Sequence, residues 1–292
     1  MSILVDEKTK VLVQGITGRQ GSFHTQQMLE FGTRIVAGVT PARGGQEIQG
    51  VPVYDTVEDA VDKHGASAAV LFVPGALARD AAFEAIDAGL SPVVLIAEHV
   101  PLQDALDVAA FAAARGAALI GPNTYGLCSP GGRSKLGIPP NRIFQPGPVG
   151  VVARSGTLSY EIVAALTEAG LGQSTVVGMG GDRVVGLGFV EALKRFAKDD
   201  ETRCVVLVGE IGGTAEEEAA ELIKGLQKPV VAYLAGAAAP QGKRMGHAGA
   251  IIERGRGTLQ SKRQALEAAG VQVADLPWEV APLVAAALRP EA

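Results

Sequence analysis

Short apolar, β-branched runs alternate along this chain with longer stretches in which apolar positions recur every three or four residues. The runs predict strands over 10–14, 35–39, 69–73, 92–97 and 117–120, and the periodic stretches predict helices over 21–31, 57–63, 76–88 and 102–114. Strands that are apolar throughout and separated by helices imply a parallel sheet covered on both faces. Residues 121–150 break this pattern: rich in proline and glycine and poor in periodic apolar positions, they read as a linker with some ordered loops. A second cycle begins after them, with strands predicted over 149–153, 174–178, 204–209, 229–235 and 271–274 and helices over 157–169, 187–198, 215–226, 259–269 and 277–288. The fold class is α/β, as two tandem doubly wound parallel-sheet domains. A length of 292 residues suits two domains better than one, and the expected division is 1–122, a linker over 123–147, and 148–292.

Composition narrows the function. The net charge is −5 with no long basic run, which argues against nucleic acid as a partner. The two cysteines, Cys128 and Cys204, are far apart and lack metal-ligand spacing. No disulfide framework and no metal site are expected, and a reducing cytoplasm is the default. Asp6 and Glu7 interrupt the N-terminus too early for a signal peptide. No apolar run approaches the roughly 20 residues that span a bilayer, so no membrane partner is expected.

Three glycine-marked turns carry candidate chemistry. After the first predicted strand comes Gly15-Ile16-Thr17-Gly18-Arg19-Gln20-Gly21, opening into a helix. Glycines there let backbone approach a phosphate, whose charge rests on the helix N-terminus. The spacing is GxxGxxG rather than the dinucleotide GxGxxG. At the end of the second strand, where NAD-binding folds place a carboxylate, stands Arg43. A cation there disfavours NAD and favours a phosphorylated ribose, as in NADP or coenzyme A; the alternative is a solvated loop charge. Val73-Pro74 and Ile96-Ala97-Glu98 end further strands on the same carboxyl edge.

In the second half, Arg154-Ser155-Gly156-Thr157-Leu158-Ser159-Tyr160 runs from a strand into a helix start, an anion site by its free N–H groups or an ordinary Ser/Thr cap. Glu210 closes an apolar strand among glycines, where a carboxylate needs a partner. His247 lies in Lys243-Arg244-Met245-Gly246-His247-Ala248-Gly249. Glycine leaves its ring approachable, the two cations attract an anion, and imidazole is neutral and nucleophilic near neutral pH. It is either a histidine that becomes phosphorylated, with Glu210 on its other nitrogen, or a loop histidine beside a basic patch. His24, His64 and His99 make no metal spacing and read as structural or surface residues.

These segments, with Gly38-Val39-Thr40-Pro41, Gly121-Pro122-Asn123, Gly209-Glu210-Ile211-Gly212-Gly213 and Gly246-His247-Ala248-Gly249-Ala250-Ile251, resemble the succinyl-CoA synthetase (succinate–CoA ligase, NDP-forming) alpha-subunit family over essentially the whole chain. The resemblance implies a Rossmann-type CoA-binding domain followed by a flavodoxin-like ligase domain. It implies CoA contacts at Thr17, Gly18, Arg19, Gln20, Gly21, Arg43, Val73, Pro74, Ile96, Ala97 and Glu98. It makes His247 the phosphorylated residue, Glu210 its support, and Ser155, Gly156, Thr157, Leu158 and Tyr160 the phosphate-side elements, with Asn123 and Tyr125 on the acid side. ATP or GTP and Mg²⁺ would be bound mainly by a separate ATP-grasp beta subunit, in an αβ or α2β2 heteromer. Phosphate would pass from nucleotide to His247 and on to a small carboxylic acid, which then becomes the CoA thioester.

Three positions depart from the family pattern. Tyr125 replaces a proline, Arg183 follows Gly180-Gly181-Asp182 where proline is usual, and His99 follows Glu98 where glycine is usual. Added cation and hydroxyl suit a substituted or more anionic acid such as malate or a sulfonate analogue; the alternative is drift in a succinate enzyme. An inactive CoA-binding regulator and an NADP-dependent reductase are weaker readings, disfavoured by intact His247 and Glu210 and by the glycine spacing.

Overall fold

The computed structural model describes residues 2–237, 239, 246–252 and 257–289. Two compact units emerge, one of Leu4–Asn141 with Val184–Leu187 and one of the remaining described chain.

The first unit holds β1 (Val11–Gln14), β2 (Ile35–Val39), β3 (Glu47–Ile48), β4 (Val51–Tyr54), β5 (Ala68–Leu71), β6 (Val93–Leu95) and β7 (Leu119–Ile120), in the order β3-β4-β2-β1-β5-β6-β7. All neighbours pair in parallel except β3 with β4. Strands β1, β5 and β6 are buried along their whole length, which is why they carry no polar face in the sequence. Helices α1 (Arg19–Phe31), α2 (Val57–His64), α3 (Ala78–Asp87) and α4 (Leu102–Arg115) accompany them. Strands β3 and β4 were not among the predicted elements; each is short, and Pro52 interrupts the second. Strand order reverses between β1 and β5, so a crevice opens at their carboxyl ends.

The stretch expected to be a linker over 123–147 is instead largely structured and buried. It contains β8 (Gly126–Ser129) and β9 (Ser134–Gly137), an antiparallel hairpin with every strand residue buried, and the start of β10 at Pro146. The two glycines that end this pairing serve close packing rather than looseness. Gly126 and Gly137 have φ of +100° and +151°, and a Cβ on either would lie 2.0 or 2.1 Å from a carbonyl oxygen across the pair. The division between units falls at Asn141, inside that stretch.

In the second unit β10 (Pro146–Ala153), β11 (Gln173–Gly178), β12 (Cys204–Glu210), β13 (Val230–Ala235) and β14 (Gln272–Ala274) run in the order β14-β13-β12-β10-β11. Every neighbouring pair among these five is parallel. Helices α5 (Gly156–Glu168), α6 (Phe189–Ala197), α7 (Ala215–Ile223), α8 (Leu259–Ala268) and α9 (Val280–Ala287) complete it. The order now reverses between β10 and β12, placing Arg154 and Glu210 at the carboxyl edge of the switch point. Among the described residues no helix is long and apolar enough to cross a membrane.

Candidate functional site

Glu210 is the last residue of β12 and is 6% exposed. Its Oε2 lies 2.7 Å from His247 Nδ1, a short bond of the kind formed when one partner is ionised. A carboxylate only accepts, so Nδ1 carries the proton and donates, and the lone pair of the neutral ring sits on Nε2. The hydrogen bond to Glu210 raises the His247 pKa above its usual 6.5, against a lowering by burial and by Arg154 and with a further rise from Asp182.

Glycines set the ring's position. A Cβ on Gly181 would lie 2.5 Å from His247 Cδ2 and Cγ, so the imidazole rests directly on the Gly181 backbone. The Gly249 N–H donates to Gly181 O at 3.2 Å, and the Ala250 N–H to His247 O at 3.2 Å. Arg183 Nε donates to Ala248 O at 3.3 Å, beside the histidine. Lys243 and Arg244, invoked as anion attractors, lie outside the described residues.

A pocket of about 260 Å³ opens on the ring, lined by His247, Glu210, Ser155, Leu158, Ile211 and Gly236 among others. Ser155 is the N-cap of α5, and its hydroxyl accepts the Leu158 N–H at 3.5 Å, a long bond. The first-turn N–H groups of Gly156 and Thr157 have no acceptor within the helix, as in any first turn. With the helix dipole they make the α5 N-terminus, whose Ser155 and Leu158 line the pocket, able to hold an anion. Tyr160 stands one turn along α5, and burial pushes its phenol up to about 12.

The predicted CoA residues gather in the first unit. Gly18 is the N-cap of α1, so Arg19 and Gln20 occupy its first turn. A Cβ on Gly21 would stand 2.1 Å from Gly15 O, and one on Gly38 would meet Ile16 at 2.5 Å. This is a cradle in which backbone replaces side chains, as phosphate contact requires. Thr17 Oγ1 donates to Thr40 Oγ1 at 3.2 Å, linking the turn to the end of β2. Arg43 is exposed, and its loop is held by Asp55 Oδ1, which accepts the Arg43 and Gly44 N–H groups at 2.9 and 2.8 Å. Val73, Ile96 and Ala97 are half-buried, with Pro74 and Glu98 exposed beside them. A Cβ on Gly75 would touch Glu98 O at 2.7 Å, so the two loops pack closely. Asn123, whose N–H donates to Ala97 O at 2.9 Å, and buried Tyr125 also belong to this unit.

Sequence reasoning gave no role to Arg154, Gly181, Glu216 or Lys262. Arg154 Nη1 lies 3.8 Å from Glu210 Oε1 and its Nε 3.9 Å from Glu216 Oε1. Lys262 is fully buried against Glu216. Only Arg154, a cation at the end of an apolar strand, carries a signal that marks it in the sequence.

Residues 6–99 match the CoA binding domain family and residues 152–272 the CoA-ligase family. With the two switch-point crevices, these matches define the class: a two-domain CoA-ligase chain. The chain is 60% identical over 285 residues to the protein named succinate–CoA ligase [ADP-forming] subunit alpha 2 of Archaeoglobus fulgidus, covering 98% of this chain and 99% of that one. It is 59% identical to the corresponding alpha subunit of Methanothermobacter thermautotrophicus, over 94% of this chain and 93% of that one. The chain belongs to the family of ADP-forming succinate–CoA ligase alpha subunits. Among solved structures, ATP citrate lyase of Methanothrix soehngenii with citrate and coenzyme A superposes with a TM-score of 0.88 at 26% identity. That match covers 99% of this chain but only 52% of the lyase chain, so the chain spans about half of that protein.

Proposed function

We propose that this chain is the alpha subunit of an ADP-forming succinate–CoA ligase and that it carries phosphate on His247. The observation that supports this best is the 2.7 Å contact of His247 Nδ1 with Glu210 Oε2, on a pocket whose wall holds the N-terminus of α5. Glu210 fixes the tautomer, so Nε2 presents its lone pair to phosphorus. Positive charge that develops on the ring as the N–P bond forms is met by the carboxylate, while the phosphoryl oxygens face the N–H groups of Gly156 and Thr157. In the return step the N–P bond breaks toward the carboxylate of the acid, and the ring is neutral again. Bound CoA would supply the thiol that displaces phosphate from the acyl phosphate, giving the thioester and inorganic phosphate. Thr17 to Gly21 and Arg43 would hold its phosphates, with Val73, Pro74 and Ile96 to Glu98 along the rest.

The nucleotide and Mg²⁺ belong to a beta subunit of ATP-grasp type in an αβ or α2β2 heteromer, in the cytoplasm. The test is to mix the protein with its beta partner, Mg²⁺ and ATP or GTP and to look for acid-labile, base-stable phosphate. Label is expected on the wild type and absent from His247→Ala; equal labelling of both would overturn the proposal. One observation favours a second reading of the acid, the anchoring of the Arg183 guanidinium beside His247 at Ala248 O. Thioester formation across succinate, malate and sulfonated analogues decides it, and a strong preference for succinate removes the second reading.

A further inference from the structure

Two fully buried ionic side chains stand behind the His247–Glu210 pair. Glu216, in the first turn of α7, and Lys262, in the first turn of α8, have no exposed surface, and the Lys262 ammonium donates to Glu216 Oε2. Glu217 Oε2 lies 3.4 Å from the same ammonium. A buried pair carries a desolvation penalty that mutual attraction often fails to repay, and apolar residues of like volume usually hold helices together as well. Joining α7 to α8 is therefore a poor explanation for it. The free oxygen of Glu216 points to a better one. Oε1 accepts the Glu210 backbone N–H at 3.1 Å and lies 3.9 Å from Arg154 Nε. Gly209 makes the approach possible, since a Cβ there would be 2.7 Å from Glu216 Oε1. Arg154 Nη1 is in turn 3.8 Å from Glu210 Oε1, the oxygen that His247 does not use. Among the described residues neither Arg154 Nε nor Glu210 Oε1 has a hydrogen-bond partner. Arg154 is thus held between two carboxylates by charge and bonded tightly to neither.

We propose that Glu216 and Lys262 are positioning residues of the phosphohistidine site, holding Arg154 back from Glu210 so that the Glu210 carboxylate stays with His247 Nδ1. Glu216 does this by fixing the Glu210 main chain and by sharing the guanidinium; Lys262 supplies the buried partner that holds the Glu216 side chain in place. The proposal deepens the phosphohistidine reading and rests on it. Without the Glu216 charge, Arg154 has one carboxylate left to pair with. A guanidinium fork on both Glu210 oxygens then competes with the imidazole for Oε2.

Among the described residues the charged groups acting on His247 are Glu210 from β12, Arg154 from the end of β10 and Asp182 from the loop after β11, and Arg183 binds the neighbouring Ala248 carbonyl. The experiment follows the His247 ring by NMR titration of the full chain, without partner or nucleotide, in wild type, Glu216→Gln and Glu216→Gln/Lys262→Met. The double variant removes both charges and leaves no stranded ammonium. The His247 pKa is expected to fall by about one pH unit in both, a tenfold change in the protonation equilibrium. Reconstituted with the beta partner, Mg²⁺ and ATP, both variants should form acid-labile phosphate at least about tenfold more slowly, with KM for CoA unchanged. The double variant should regain the Tm lost by the single one but not the titration or the rate. A folded double variant whose His247 titrates and labels like wild type overturns the proposal and leaves the pair a structural one. Failure of the wild type to take up phosphate would instead sink the phosphohistidine reading, and the titration would still separate the two.

Discussion

Gly181 offers a perturbation that separates activity from stability. In Gly181→Ala the new methyl would stand 2.5 Å from His247 Cδ2 and Cγ and 2.9 Å from Nδ1. Ordinary contact begins near 3.4 Å, so the ring has to retreat by roughly 1 Å. The alanine itself brings no backbone strain, because Gly181 is not among the positive-φ glycines. The obstructing atoms belong to a half-exposed side chain that can swing away, so the loss of stability should stay within the lower part of the roughly 1–3 kcal/mol range for overpacking. Catalysis has no such outlet. The same movement opens the 2.7 Å bond to Glu210 and misplaces Nε2, and a misplacement of about 1 Å costs on the order of 10²-fold in rate. The assay is single-turnover formation of acid-labile phosphate with the beta partner, Mg²⁺ and ATP, beside a thermal melt of the same preparation. Labelling within about twofold of wild type would refute the view that the backbone at 181 sets the reactive geometry.

The same geometry sets other expectations. The hydrogen bond to Glu210 holds the His247 pKa above 6.5, so the rate of phosphate uptake should fall as pH drops through that raised value; a rate unchanged from about pH 8 to about pH 6 would contradict it. Stability should run the other way: the raised pKa contributes stability that is complete below pH ~6.5 and disappears as pH rises through the folded value, and Glu210→Gln should flatten that part of the melting profile. Reversing the exposed Arg43 in Arg43→Glu should raise KM for CoA about tenfold more than KM for dephospho-CoA, equivalent to about 1.4 kcal/mol, with kcat kept; equal increases would assign Arg43 to the solvent. Gly21→Ala forces a methyl to 2.1 Å from Gly15 O, where backbone cannot swing aside, so Tm should fall by the equivalent of about 1–3 kcal/mol and CoA protection with it. An unchanged melt would mean the turn is looser than it stands.

Much of this architecture was legible because buried parallel strands announce themselves as unbroken apolar runs, and the residues just after each run mark the carboxyl edge. Glu210 after Val206-Leu207-Val208-Gly209 was visible for that reason. The hairpin of β8 and β9 was not, because a loose linker and a tight backbone pairing both call for glycine. Only the 2.0 Å clearance at Gly126 tells them apart. Lys262 was hidden in another way. It lies between Ser261 and Arg263 in a polar helix and reads as one more surface cation, while its burial is decided by Glu216, 46 residues away in sequence. Gly181 gave no sign either, since what matters there is a ring brought in from position 247.

Glu210, Arg154, Glu216 and Lys262 alternate in sign through the second unit's switch point, and Glu217 beside Lys262 leaves the cluster with more carboxylates than cations. The phosphoryl group proposed for His247 would therefore add to negative charge already present. At the α5 N-terminus that charge would be met by main-chain N–H groups, which no substitution other than proline removes. Under the proposed function, residues around the pocket could then vary to suit a different acid while the helix N-terminus keeps its main-chain donors for the phosphoryl group.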